Sequence, residues 1–393
     1  MTSAPAPLTI LDMKALCASD TLHASVHAQI ESIQQKQTKT GKPYYEYTLR
    51  DAAGAVTLKA WQDTAGFAAV DHLEPDKFVV VTGEWATSQY GVECKDWTIH
   101  ELGRDAVETL LAGTGELKTK QDEDWRSIVA FIDEIGDPRL GAMAQRFLKD
   151  YGDRFRRTAA ARKNHHARRG GLVEHVAQMM LTTDKICEAY PRLNRDLLLV
   201  GVLFHDCGKL WENSFPEAGF SMPFSLTGEL LGHIPIGLEV VNKIWRDIME
   251  SEEAAAWKEL TPTNEEVRLH LLHLIGSHHG THEFGSPVLP RTPEAIALHH
   301  IDNIDAKLEM MFVGYETTPQ IAPGIYDRVF PLPGHLVEPL KRFAKPSVEE
   351  SKSETEPEPA APAADAKPSP AENTEQDPPE SRNTEGNGWL FGG

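Results

Sequence analysis

The chain lacks several features that would mark whole classes of protein. No run of about 18 apolar residues occurs in its 393 residues, so no membrane-spanning helix is expected. The opening stretch MTSAPAPLTILDMK has no basic segment followed by an apolar one, so no secretory leader is expected. Cysteine is scarce: Cys17, Cys94, Cys187 and Cys207 are scattered, without a C-x-x-C pair. That pattern argues against a disulfide scaffold or a zinc ribbon and fits a reducing, cytoplasmic location. No G-x-x-x-x-G-K-[ST] stretch is present to cradle a nucleotide phosphate. Net positive charge is also missing. The formal charge is −20, and eleven acids against three bases place −8 of it in residues 346–393. A polyanionic partner would therefore need a local basic patch.

What is present divides the chain into five stretches. Residues 1–19 form an extension. Residues 20–105 read as an all-β unit with strand candidates Leu22–Ile33, Tyr44–Arg50, Val56–Trp61, Lys77–Trp85 and Val92–Leu102. Five short strands in so short a stretch fit an OB-like barrel. In the third strand Val56, Leu58 and Ala60 share one face, and Thr57, Lys59 and Trp61 the other. A lysine beside an outward aromatic suits a surface that stacks bases and tracks a phosphate backbone. Trp61 could equally cap the barrel core. Tyr90, in the turn Ser88-Gln89-Tyr90-Gly91, is a further candidate for the binding face.

Residues 106–164 read as a helical connector, with Trp125, Ile128, Val129, Ile132 and Ile135 at helical spacing. Arg154, Arg156, Arg157, Arg162, Lys163, Arg168 and Arg169 then crowd sixteen positions. The run is either a solvated face or a strip that guides phosphates; Arg162, Lys163, Arg168 and Arg169 are the nucleic-acid-binding candidates. Residues 165–345 read as an all-α domain. Residues 346–393, rich in Pro, Glu, Ala and Ser, are expected to be disordered. The tail ends in an apolar knob, Trp389-Leu390-Phe391, a candidate contact for a protein partner. A homo-oligomer is left open.

The helical domain holds an ordered series of metal-ligand types. His175 opens an amphipathic helix. His205-Asp206 ends the apolar helix Leu197–Phe204, with Gly208 expected to stop it. His233 follows a glycine, and His278-His279 ends a helix over Val267–Ser277, with Gly280 as its stop. Asp302 and Asp305, three apart on a helix begun by Thr292-Pro293, share a face. Mixed imidazole and carboxylate ligation suits manganese, iron, cobalt or zinc. One bridging carboxylate would allow two ions, and Asp206 beside His205 is the natural bridge. Asp305 is expected to orient a ligand. Lys209 is a candidate for contact with the scissile phosphate or a carboxylate, Glu174 and Glu229 are candidate proton carriers, and Cys207 is expected to be a small buried residue.

This spacing resembles the HD phosphohydrolase superfamily, through His175, His205-Asp206 within HDCGK, and Asp302. His233 and His278-His279 match its two-metal branch. The stretches GGLVEH, YPRLNRDLLLVGVLFHDCGKLWE, GELLGHIPIG, SHHGTHEFGSPVLP and HHIDNIDAKLEMM, behind an OB-like module, resemble the YhaM-type 3′–5′ exoribonucleases over roughly residues 20–320. The resemblance implies a metal-dependent enzyme that favours manganese and acts on single-stranded RNA and, in some members, DNA. It also implies that His175, His205, Asp206 and Asp302 hold one ion, and that His233, His278 and His279, with Asp206 as bridge, hold the other. Three other readings share parts of the pattern. A cyclic-dinucleotide phosphodiesterase would carry Gly-Tyr-Pro where this chain has Glu283-Phe284-Gly285-Ser286-Pro287. A nucleotidase would leave the barrel without a purpose. A non-catalytic nucleic-acid-binding adaptor would leave the ligand set without one.

Overall fold

The computed structural model describes residues 7–88, 91–113, 115–220, 222–341 and 343. Tyr90 and the Trp389-Leu390-Phe391 segment lie outside these residues.

Alternation of apolar and polar residues builds the first part. Helix α1 (Ile10–Leu16) precedes strands β1 (Leu22–Gln37), β2 (Pro43–Arg50) and β3 (Ala55–Trp61). Helix α2 (Ala65–Asp71) follows, then β4 (Phe78–Ser88) and β5 (Gly91–Glu101). All neighbouring strands are antiparallel, in the order β3-β2-β1-β4-β5. The long β1 pairs with β2 through one half and β4 through the other, and a bulge between Ile30 and Ser32 marks its pairing with β2. Such a bulge bends a strand and increases its twist. The edge strands β3 and β5 then approach each other, so the sheet curls into an OB-like barrel. Val26, Ile30, Tyr47, Leu49, Leu58, Val81 and Trp85 fill it.

Helix α1 lies in the N-terminal extension, where the sequence shows no helical period. This short helix buries Ile10 and Met13 against the barrel. Asp51, in the turn before β3, holds it there. One carboxylate oxygen accepts from the Ile10 amide at 2.7 Å, and the other accepts from Ala53 and Gly54 at 2.8 Å each.

The helical part comprises α3 (Arg104–Ala112), α4 (Gly115–Asp133), α5 (Pro138–Phe155), α6 (Gly171–Ala189), α7 (Arg195–Phe204) and α8 (Lys209–Glu212). It continues with α9 (Leu226–Leu231), α10 (His233–Met249), α11 (Asn264–Ser277) and α12 (Pro293–Thr317). Helix α7 is buried from Leu197 to Phe204, as a helix apolar on every side must be. Helices α4 and α5, read from sequence as part of a connector, bury Ile128, Ile132, Leu140, Met143 and Phe147 in the same core as α6 and α7. They are part of the helical domain. Caps set the helix starts. Asn194 accepts from Leu197 N for α7, Thr263 and Glu266 form a capping box for α11, and Thr292 caps α12 ahead of Pro293.

Beyond α12, in a stretch read as helical, β6 (Gln320–Ala322), β7 (Ile325–Arg328) and β8 (His335–Val337) form a small antiparallel sheet. Barrel and helices meet at Gln29, which accepts from the Phe220 amide at 2.5 Å, and at the edge-on contact of Phe78 with Phe220. No helix among the described residues is long and apolar enough to cross a membrane.

Candidate metal centre

Five helices bring the histidines and aspartates together. Because α7 is buried from Leu197 to Phe204, its C-terminal turn delivers His205 and Asp206 into the domain interior. His175 lies in the first turns of α6, also fully buried. His233 is the first residue of α10. His278 caps the C-terminus of α11, and His279 follows it. The chain then turns at Gly280, whose φ of +79° disfavours any residue with a Cβ. A Cβ there would also meet the His299 ring at 2.2 Å. Asp302 and Asp305 project from one face of α12 onto the same histidine: Asp302 Oδ1 is 3.4 Å from His175 Nε2, and Asp305 Oδ2 is 2.6 Å from His175 Nδ1.

Gly208 differs from its expected role. Its φ of −65° is ordinary helical backbone, not a left-handed stop. What requires glycine is proximity: a Cβ would lie 1.9 Å from the His233 carbonyl oxygen and 2.8 Å from the Gly237 amide nitrogen. The turn carrying Asp206 is thereby pressed against the start of α10.

Hydrogen bonds orient the imidazoles. His205 Nδ1 donates to Val202 O at 2.7 Å, His278 Nδ1 to Ile275 O at 2.8 Å, and His279 Nδ1 to Phe284 O at 2.6 Å. A carbonyl can only accept, so each Nδ1 carries the proton and each Nε2 keeps its lone pair. Glu212 fills the same position for His233, with its carboxylate 3.2 Å from Nδ1. The Nε2 atoms of His175, His205, His233 and His278, and Oδ1 of Asp206, are buried with no hydrogen-bond partner among the described residues. Buried polar atoms are seldom left so, and orphaned lone pairs converging beside carboxylates are what a divalent cation needs.

Asp206 stands between two ligand groups. Its Oδ2 lies 3.3 Å from His205 Nε2 and 3.9 Å from His175 Nε2. Its Oδ1 lies 3.4 Å from His233 Nε2 and 3.7 Å from His278 Nε2. The Lys209 ammonium donates to Oδ2 at 2.6 Å. Burial opposes ionisation of Asp206, but Lys209 and the imidazoles outweigh it and hold the carboxyl well below its ordinary range. Asp302 and Asp305 are held low against burial in the same way, the first mainly by His175 and the second by His166 and His175. Burial lowers His278 and His279, which keeps them neutral as ligands must be. For His175 the balance is reversed. Burial would lower it, but Asp302 and Asp305 raise it to about 9. A cation must displace that proton, so the apparent affinity for Mn2+ is expected to rise with pH up to about 9. Calorimetric titrations at several pH values in buffers of different ionisation enthalpy check this through the proton released.

Behind the candidate ligands lies a layer of further histidines and acids. His166 is buried with a left-handed φ of +44°, and its Nε2 is 3.1 Å from Asp305 Oδ2. Its Nδ1 faces Glu174 and Glu309, each at 3.7 Å. His299 donates to the His278 carbonyl at 2.9 Å. The only sequence signal for these residues is adjacency: His166 lies in the His165-His166 pair, and Glu212 lies one turn beyond Lys209. Asp305 joins His166 to His175. Asp305→Ala is expected to weaken Mn2+ binding about 10–100-fold, the usual cost of losing such a support, while the helical circular dichroism persists.

The basic run is largely engaged by the protein itself. Arg168 binds Glu174 and, at 3.0 Å, Glu309. Arg169 donates to the carbonyls of Pro216, Glu217 and Gly219, and Arg162 to those of Glu212, Met222 and Pro223. Lys163 is exposed. Glu174 does not fit the part of proton carrier: against the effect of burial, His166 and Arg168 hold it at about 2. Glu229 is exposed on α9. Cys207 is fully buried, which pushes its thiol pKa up.

On the barrel, Thr57, Lys59 and Trp61 are exposed along β3. Trp61, 45% exposed, packs against Tyr44 with ring centroids 4.8 Å apart, and the Lys59 ammonium lies 6.0 Å from its ring. These residues open onto a groove of about 710 Å³ between β3 and β5, with Lys95 and Trp97 on the far side.

The HD domain family matches residues 172–307, which include every candidate ligand. A solved structure, the second OB-fold domain of replication protein A from Methanococcus maripaludis, is 18% identical, with a TM-score of 0.16, and covers 21% of this chain and 87% of that one. The 3′-5′ exoribonuclease YhaM of Bacillus licheniformis is 34% identical over 308 residues, spanning 77% of this chain and 90% of that protein. The protein of the same name in Bacillus subtilis is 34% identical over 304 residues, with the same coverage of each chain. The one in Oceanobacillus iheyensis is 33% identical over 316 residues, covering 80% and 91%. With its barrel, its helical HD domain and this likeness over nearly the whole length of its relatives, the chain belongs to the YhaM family.

Proposed function

We propose that the protein is a metal-dependent 3′–5′ exoribonuclease that hydrolyses single-stranded RNA at a two-metal centre, with single-stranded DNA as an additional substrate. The observation that carries the two-metal part is the placement of Asp206, with one carboxylate oxygen facing His175 and His205 and the other facing His233 and His278. His175, His205, Asp206 and Asp302 would hold one cation. His233, His278 and His279, with Asp206, would hold the other; mixed imidazole and carboxylate ligation suits manganese, iron, cobalt or zinc, and the family resemblance favours manganese. Such cations activate water and neutralise the charge of the phosphate and of the leaving oxygen. The chain's own residues do the positioning. Asp305 fixes the His175 ring, Glu212 fixes His233, and the carbonyls of Val202, Ile275 and Phe284 fix the other three imidazoles. Lys209 balances the Asp206 charge and would offer an ammonium to a phosphate bound there. A non-catalytic adaptor would have no use for buried lone pairs that converge in this way.

The barrel supplies length of grip. Lys59, Trp61 and the groove beside them offer a cation and an exposed ring, which suit a strand held without regard to sequence. Trp61→Ala is expected to cost roughly 1–3 kcal/mol of binding, the value of one stacked base. It should raise the Kd of long RNA by about tenfold and leave turnover of very short oligonucleotides unchanged. Fluorescence anisotropy against oligomer length measures this; an equal effect at every length would remove Trp61 from the binding face. A soluble, cytoplasmic enzyme is the setting this reading implies. Its direct test is 5′-end-labelled single-stranded RNA incubated with Mn2+, with an EDTA control. A ladder that shortens stepwise from the 3′ end supports the reading, and labelled mononucleotide released at the outset would refute it.

A further inference from the structure

Phe224 lies on the segment between α8 and α9, the helix that leads into His233, and has no role in the proposed reaction. It is 75% exposed, yet it is not loosely held. The Arg162 guanidinium lies 4.1 Å from its ring centroid. That guanidinium is fixed by three carbonyls, Pro223 at 2.7 Å, Glu212 at 2.9 Å and Met222 at 3.3 Å. A planar cation so clamped backs the ring and leaves most of it to solvent. Ser225, the next residue, bonds Trp211 O at 2.6 Å and caps α9 at Gly228 N.

The unit is tied to the metal centre. Glu212 gives its carbonyl to Arg162 and its carboxylate to His233 Nδ1. Helix α9 (Leu226–Leu231), capped by Ser225 and Gly232, ends immediately before His233. The ring is thus held, through Arg162, by the last residue of α8 and the segment that leads into α9.

We propose that Phe224, backed by Arg162, is the stacking platform for the base of the strand's terminal nucleotide, a subsite that rests on the exonuclease reading. An exonuclease must seat the last nucleotide whatever its base, and stacking on an aromatic face is indifferent to base identity. A ring already immobilised loses little entropy on binding. The segment carrying Arg162 therefore has a task beyond its internal bonds: it presents the platform.

The test compares two single-stranded RNAs that differ only at the 3′-terminal nucleotide, one bearing a base and the other abasic. Removal of that nucleotide is followed with the full chain and Mn2+. The wild type should favour the base-bearing end by on the order of tenfold in kcat/KM, within the range one stacked base contributes. Phe224→Ala should bring the ratio close to one by slowing the base-bearing substrate alone, and Phe224→Trp should retain the preference. An unchanged ratio in Phe224→Ala would overturn the platform and assign the ring, with its exposed neighbours Leu226 and Leu230, to a protein contact. An equal loss on both substrates would also overturn it, because the ring would then serve only to place His233. A wild type that removes both ends equally fast refutes the platform alone. A wild type that shortens neither refutes the exonuclease reading beneath it.

Discussion

Asp206→Asn is expected to abolish hydrolysis while the fold survives. The amide has the shape of the carboxylate but only one oxygen. In one orientation its NH2 group faces the Lys209 ammonium, which now donates to Oδ2 at 2.6 Å. In the other it faces the Nε2 atoms of His233 and His278, at 3.4 and 3.7 Å from Oδ1. Either way one side of the site loses its anionic oxygen and gains a donor that a cation repels. Losing one oriented donor in an enzyme site already costs about 10²–10³-fold. Losing a shared ligand should exceed about 10³-fold in kcat, with bound Mn2+ falling below the wild-type content. Activity within tenfold of wild type would exclude Asp206 from the centre.

Gly208→Ala tests the packing that sets the centre. The added Cβ would meet the His233 carbonyl oxygen at 1.9 Å and the Gly237 amide nitrogen at 2.8 Å. Both are backbone atoms, so no side-chain rotation relieves the clash. The start of α10 must move, carrying His233 away from Asp206. Overpacking of this kind costs about 1–3 kcal/mol of stability. A misplacement of about 1 Å in a catalytic constellation costs on the order of 10²-fold in rate. We therefore expect a lower Tm together with a kcat reduced about 10²-fold and partly restored by excess Mn2+. A variant with wild-type kcat would mean that the contact between this turn and α10 does not position His233.

Gly208 also illustrates what the sequence could and could not convey. A glycine after an apolar helix suggests a stop, and only the fold reveals that the residue is required by close approach. The elements that were legible repeat a simple pattern over enough residues: Val56, Leu58 and Ala60 alternate along β3, and α7 is apolar from Leu197 to Phe204. Helix α1 was not legible, because two buried side chains and a contact to Asp51, forty-one residues away, define it. Strands β6 to β8 are three or four residues long and carry no period to read. The order of His175, His205-Asp206, His233, His278-His279 and Asp302 could be read directly. The orientation of each ring could not, since it depends on carbonyls such as Val202 O and Ile275 O that every sequence offers everywhere. The arginine run was visible as charge. Its engagement with the carbonyls of residues 212–223 depends on chain segments brought together only by folding.

Asp206 is proposed to join two cations in one site. Two metals that share a carboxylate at about 3.5–4 Å are magnetically coupled. The most direct measurement is electron paramagnetic resonance of the Mn2+-loaded protein, with the metal content per chain determined on the same sample. Two Mn2+ per chain are expected, with an exchange-coupled spectrum that is lost in Asp206→Asn. One Mn2+ per chain, or two that remain magnetically independent, would contradict the bridge.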